Sequence, residues 1–205
     1  MLEPAEKRVY AFFDGQNLFG TARTAFGYSY PNYDPIALAK AVCAGRVDEG
    51  WRLDGIHFYT GIHDQRRDRR WYEFWSRKLQ AMGTRGVSVF TRPLQYIEVP
   101  LPDGSVYSKP REKGIDVRIA LEIVRLGFEA VYDVALIFSQ DQDLSEAVSD
   151  LRLIARSQGR WLKVASAFPV STGTSFRRGI DKTDWIPMDK ALYDSCLDPG
   201  DYSRS

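Results

Sequence analysis

The stretch that most constrains this chain covers residues 132–150, YDVALIFSQDQDLSEAVSD. Val134, Ala135, Leu136, Ile137 and Phe138 are apolar without interruption, the pattern of a parallel strand covered on both faces. Ser139, Gln140, Asp141, Gln142 and Asp143 break the run, and Leu144, Ala147, Val148 and Leu151 resume it at helical spacing. A strand that feeds a helix through an acidic turn puts Asp141 and Asp143 at the carboxyl edge of a sheet. In open α/β sheets that edge is where ligands bind.

The rest of the chain repeats this alternation. Residues 9–13 predict a first buried strand, ending at Asp14, Gly15, Gln16 and Asn17. Asp34 before Pro35 is a helix start, the aspartate capping and the proline at the first helical position, with Ile36, Leu38, Ala39 and Val42 as the buried stripe. Residues 55–59 predict a second strand and 86–91 a third. Between them, 65–82 predict a helix with Trp71, Phe74, Trp75 and Leu79 at helical spacing. Arg66, Arg67, Arg69 and Arg70 crowd its amino end, where the helix dipole already favours anions. Residues 96–99 and 106–107 flank a Pro-Asp-Gly turn. They predict a β-hairpin insertion over 94–109, because Pro100 and Pro102 would spoil a central strand. Residues 161–167 predict a fifth strand, followed by a Ser/Thr/Gly loop, a helix near Phe176 and a terminal piece around 185–197.

Strands alternating with helices predict a three-layered α/β/α sandwich with a mainly parallel sheet. We expect one domain over residues 1–205, with a core of 9–167 and an extension of 171–205. The formal net charge of +1 supplies no global basic field, so a nucleic-acid partner has to be argued locally. Cys43 and Cys196 form no metal-like cluster, no signal peptide precedes the first strand, and no apolar run reaches the ~18 residues of a membrane span. A cytoplasmic protein without a membrane partner is expected.

A further helix begins after Lys113, Gly114 and Ile115. At about 100° per residue, Arg118, Glu122 and Arg125 group within about 60° and predict its wet face. Asp116 lies about 160° from Arg118, among Ile119, Ala120, Ile123 and Gly127. A carboxylate on that stripe requires a cation, a hydrogen-bond donor or a metal. Asp14, Asp116, Asp141 and Asp143 thus fall on one edge, where their mutual repulsion would force protonation unless a divalent cation offsets it. Oxygen donors without a Cys/His set suit Mg²⁺ or Mn²⁺, and such an ion activates water and offsets phosphoryl charge, the chemistry of a metal-dependent phosphodiesterase.

Plainer roles exist for the same residues. Asp143 stands three before Glu146, as in a capping box, whereas Asp141 has no such role. Asp14 before Gly15 is a turn former, and Asp116 a partner for Lys113 in a buried ion pair. The arginine run is either a solvated face or a phosphate-tracking patch joined by Lys109, Arg111 and Lys113, with Tyr72 available for base stacking.

FFDGQN at 12–17, KGIDVRIALEIVR at 113–125 and ALIFSQDQDLSEAV at 135–148 resemble three signatures of the NYN domain, a branch of the PIN-like nucleases. The resemblance implies a PIN-like Rossmannoid fold and Mg²⁺- or Mn²⁺-dependent ribonuclease activity, with RNA as partner. It matches Asp14, Asp116, Asp141 and Asp143 to the family's acidic cluster, Asn17 to its polar residue near the first aspartate, and Lys113 to the basic residue before the helical aspartate. Where the family has Ser-Gly-Asp-Ser-Asp this chain has Ser-Gln-Asp-Gln-Asp, so Gln140 replaces a glycine in a tight turn. A haloacid-dehalogenase-like phosphatase needs a second aspartate where Gln16 stands. A P-loop is absent. The remaining alternative is a PIN-like RNA-binding or interaction module without catalysis, and a homo-oligomer is compatible with either.

Overall fold

The computed structural model describes residues 2–174 and 177–202. In chain order its first half comprises β1 (Lys7–Asp14), α1 (Gly15–Phe26), α2 (Pro35–Ala44), β2 (Trp51–Ile62), α3 (Arg69–Thr84) and β3 (Ser88–Pro93). A hairpin follows, β4 (Gln95–Pro100) and β5 (Val106–Arg111). The second half comprises α4 (Ile115–Phe128), β6 (Val134–Phe138), α5 (Ser145–Ser157), β7 (Lys163–Pro169), β8 (Asp184–Met188) and α6 (Lys190–Asp194).

Six strands form one sheet in the order β3-β2-β1-β6-β7-β8, with every neighbouring pair parallel. The side chains of β1 and β6 alternate between the two faces. Val9, Ala11, Phe13, Leu136 and Phe138 join a core with Leu18, Leu38 and Trp75 from α1, α2 and α3. Phe12, Ala135 and Ile137 join a second core with Ile119 and Ile123 of α4 and Val148 and Leu151 of α5. This is a three-layered α/β/α sandwich, with the β4–β5 hairpin as its insertion. Strand order reverses between β1 and β6, so the crevice at their carboxyl ends is the topological switch point, where doubly wound sheets hold their ligands. Among the described residues no helix is long and apolar enough to cross a membrane.

Several local expectations are corrected. Helix α1 was not anticipated, because only Gly15, Leu18 and Ala22 of its residues are buried and the periodic signal is thin. β2 is longer than 55–59, since its first half pairs with β1 alone and tolerates polar Arg52 and Asp54 at the sheet edge. α3 begins at Arg69, capped by Asp68, whose carboxylate accepts the Trp71 N–H at 3.1 Å; Arg66 and Arg67 therefore belong to the preceding turn. The terminal piece is a sixth parallel strand, β8, and a short helix. The helix expected near Phe176 lies outside the described residues.

The largest correction concerns α4. Glu122, expected on the wet face, is 7% exposed and lies between Arg118 and Arg125 at 2.9 and 2.5 Å. The exposed face carries Val117, Leu121 and Phe128 alongside the expected Arg125. Charge on a helical wheel is a poor guide when two flanking arginines carry a glutamate into the packing.

Candidate active site

Asp14 is the last residue of β1 and the cap of α1, accepting the Asn17 N–H at 3.0 Å. It is 5% exposed, and Ser139 Oγ donates to its second oxygen at 3.3 Å. Burial, with the negative charges of Asp141 and then Asp116, pushes its carboxyl up to about 6, although the Asn17 and Ser139 donors pull the other way. Gly15 lets the chain turn here: a Cβ would come within 2.8 Å of the Phe58 ring and 2.9 Å of the Tyr59 carbonyl.

Across the switch point, the turn after β6 is tied to this first edge. Asn17 Oδ1 accepts the Gln140 N–H at 2.9 Å, so one side chain joins the ends of β1 and β6. Asp141 accepts the Asp143 N–H at 3.0 Å and caps a single 3₁₀ turn at Gln142–Leu144. The capping role expected of Asp143 therefore belongs to Asp141, and α5 has no side-chain cap. Asp143 lies two residues beyond Asp141 and is exposed.

The glutamines that distinguish this turn have partners of their own. Gln140 needs no left-handed backbone. Its Nε2 donates to the Arg178 carbonyl at 2.7 Å; Gln142 Nε2 donates to the Gly179 carbonyl at 2.9 Å and its Oε1 accepts the Asp181 N–H at 3.1 Å. Together they dock residues 178–181 against the acidic turn.

Asp116 sits half-buried in the first turn of α4, which Gly114 opens in a left-handed conformation at φ 72°. Lys113 is exposed and makes no ion pair among the described residues, so the Lys113–Asp116 bridge is not formed. A further carboxylate, missed in the sequence, joins the group. Glu112 follows β5 directly and accepts the Gly61 N–H at the end of β2. Burial first, then Asp14 and Asp116, push its carboxyl up to about 7. The available signal was the period of two along β5, which turns Glu112 away from its exposed neighbours Arg111 and Lys113.

The cationic residues are dispersed. Arg67 stacks over Tyr96 at 4.6 Å and donates to Ser108 Oγ at 2.9 Å, and Arg69 pairs with Glu73 at 2.6 Å. Arg66 and Arg70 are exposed and make no ion pair among the described residues. In the hairpin, Ile97 opposes Lys109 and Gln95 opposes Arg111. Tyr96 and Ser108 take the other face, against the 64–67 turn. The free face thus presents Tyr107, Lys109 and Arg111, all exposed and outside any ion pair among the described residues.

As donors, the carboxylates at the switch point suit a hard divalent cation, because Asp14 is buried and Glu112 half-buried beside other negative groups and neither is in a salt bridge among the described residues. Among the described residues no three His, Cys, Asp or Glu side chains stand close enough to chelate one ion together. An ion here would be held directly by one or two carboxylates and otherwise by water.

A parallel three-layered sheet with carboxylates at its switch point defines the class: a PIN-like nuclease fold. The model of the NYN domain matches residues 8–184, and the chain belongs to that family, whose members are nucleases that generally use divalent metals. No curated protein matches the chain. Among solved structures, the crystal structure of Acinetobacter baumannii MurG overlaps 89% of this chain and 45% of its own length, at 10% identity and a TM-score of 0.34. The chain thus spans less than half of that structure.

Proposed function

We propose that the chain is a ribonuclease that hydrolyses phosphodiester bonds of single-stranded RNA with Mg²⁺ or Mn²⁺ held among Asp14, Asp116, Asp141 and Glu112, Asp143 contributing through water. One observation carries the reading: Asp14, which is buried, and Glu112, which is half-buried, come from distant parts of the chain, each feels the charge of neighbouring acids, and neither is in a salt bridge among the described residues. When bound, the ion supplies an activated water and offsets charge on the phosphoryl oxygens.

The chain's own residues supply the positioning. Asp14 cannot swing, because one oxygen is held by the Asn17 N–H and the other by Ser139. Glu112 is held in place by the Gly61 N–H it accepts, so its carboxylate stays turned toward the acidic group. Asn17 uses its carbonyl on Gln140 and keeps its amide N–H groups for a phosphate. Tyr107, Lys109, Arg111 and Lys113 offer a stacking surface and unpaired cations for a strand approaching along the hairpin.

The test compares labelled single-stranded RNA, single-stranded DNA and p-nitrophenyl phosphate with Mn²⁺, Mg²⁺ or EDTA, using the native chain, Asp14→Asn and Asp141→Asn. Metal-dependent RNA cutting lost in both variants is expected. Monoester hydrolysis without strand cutting would make it a phosphatase, and RNA binding without turnover a binding module.

A further inference from the structure

A cleft of about 660 Å³ opens between the amino end of α3, the loop joining α1 and α2, and the C-terminal segment. That volume lies within the range of small-molecule sites. We propose that it is a nucleotide subsite, holding a planar base among aromatic side chains with the attached phosphate on Arg70.

Four rings line the cleft: Tyr30, Trp71, Phe74 and Tyr202. Trp71 meets Phe74 edge-on at 5.3 Å, and Phe74 meets Tyr202 at right angles at 5.9 Å. Tyr30 is 51% exposed, a large ring left without cover at the mouth.

The wall opposite α3 is built rather than frayed. Lys78, 1% exposed, pairs with Asp198 at 2.5 Å and donates to the Tyr33 carbonyl at 2.9 Å. Asp198 in turn accepts the Gly200 N–H at 2.9 Å and the Tyr202 hydroxyl at 3.2 Å. A buried lysine thus anchors the segment that carries Tyr202, and its ammonium lies 5.1 Å from that ring.

Arg70 decides the ligand class. It lines the cleft and makes no ion pair or hydrogen bond among the described residues, whereas its neighbour Arg69 is engaged by Glu73. Of the two carboxylates on the same lining, Asp198 is taken by Lys78 and Tyr202 and Asp201 is also engaged; the free guanidinium then disfavours a cationic ligand, and four rings are wasted on a bare anion. A flat heterocycle joined to a phosphate uses both, through stacking and a charge-assisted hydrogen bond. The cleft is also within a strand's reach of the acidic edge: Trp71 stacks on His63 at 6.3 Å, and His63 directly follows the carboxyl end of β2. A nucleotide unit of a bound strand rests on the RNA reading above; a free nucleotide does not.

The two sources separate in one experiment on the full chain carrying Asp14→Asn, so that binding is read without cutting. Isothermal titration with AMP, GMP, CMP and UMP is set beside anisotropy of a fluorescein-labelled single-stranded RNA, for this protein and for added Arg70→Gln or Tyr30→Ala. Both positions are exposed, and circular dichroism melts check that the variants fold. The expected result is about fivefold or greater weakening of at least one probe in both variants, as loss of one stacking or phosphate contact implies. Weakened RNA binding without nucleotide binding assigns the subsite to a strand; weakened nucleotide binding with RNA unchanged assigns it to a free nucleotide. Unchanged affinity for every probe in folded variants, or no binding of any probe, overturns the proposal. Failure of the native chain to cut RNA would leave this measurement untouched.

Discussion

Two carboxylates in this molecule are almost equally hidden: Asp14 is 5% exposed and Glu122 7%. Their surroundings are opposite. For Glu122 burial pushes the carboxyl up, but Arg125 and Arg118 outweigh it and hold it below the ordinary carboxylate range. For Asp14 burial acts in the same direction, the neighbouring charges are Asp141 and Asp116, and the carboxyl stands at about 6. A buried acid with its cations supplied by the same helix is architecture. One left among other acids holds unfavourable energy that an external cation would relieve, which is how functional sites differ from structural ion pairs.

The comparison breaks most visibly in activity. Asp14→Asn keeps a competent helix cap, and RNA cleavage should fall about a hundred- to thousandfold, as when one preorganised electrostatic group is lost. Glu122→Gln, assayed as the folded fraction, should cut at the native rate. Equal losses in both would erase the distinction.

The next effect is on stability, with the sign reversed. Asp14 has a folded-state carboxyl raised above its unfolded value, so the folded state binds the extra proton. Its contribution is favourable below the ordinary carboxylate range and is lost as pH rises through about 6. In metal-free buffer at pH 8, Asp14→Asn should therefore be more stable than the native chain, by roughly 3 kcal/mol at most, or several degrees of melting temperature. Added Mg²⁺ or Mn²⁺ should close that gap by stabilising only the native chain. Thermal melts at pH 5 and pH 8, with and without the ion, read both terms.

Smaller again, Glu122→Gln should destabilise by about 1 to 2 kcal/mol, because two half-exposed arginines lose a charged acceptor; urea denaturation measures it. The smallest effect separates free from occupied cations. Changing Lys109, Arg111 and Lys113 together to Ala should reduce the salt slope of RNA binding by about two, at roughly 0.7 per lost phosphate contact on a single strand. Arg69→Ala, whose partner is Glu73, should leave that slope unchanged.

How much of this could be read from the residues depends on which signal each element leaves. β6 is apolar throughout and buried throughout, so its place at the centre of a parallel sheet was legible. The acidic turn that follows it was legible for the same reason. α1 was hidden because a helix lying on the sheet through Leu18 and Ala22 alone leaves little periodicity. Glu112 was missed because it follows a short hairpin strand among charges, where only the alternation along β5, and not the character of its neighbours, marks where its carboxyl turns. The cap at Asp141 was misassigned to Asp143, since a 3₁₀ turn placed before α5 shifts the capping position by two residues. The arginine run read as either a solvated face or a patch, and that choice was not legible because two of its members are held by Tyr96 and Glu73 through packing no linear pattern records.

The hairpin leaves one lasting consequence. Its last strand sends alternate residues to opposite sides, with Lys109 and Arg111 outward and Glu112 at the acid pocket beside Gly61. Parity then governs how this arm can change. An insertion of one residue between Val106 and Glu112 would exchange the two sides and present a positive group to the pocket, whereas an insertion of two would preserve both. The arm can lengthen by even steps around an unchanged centre.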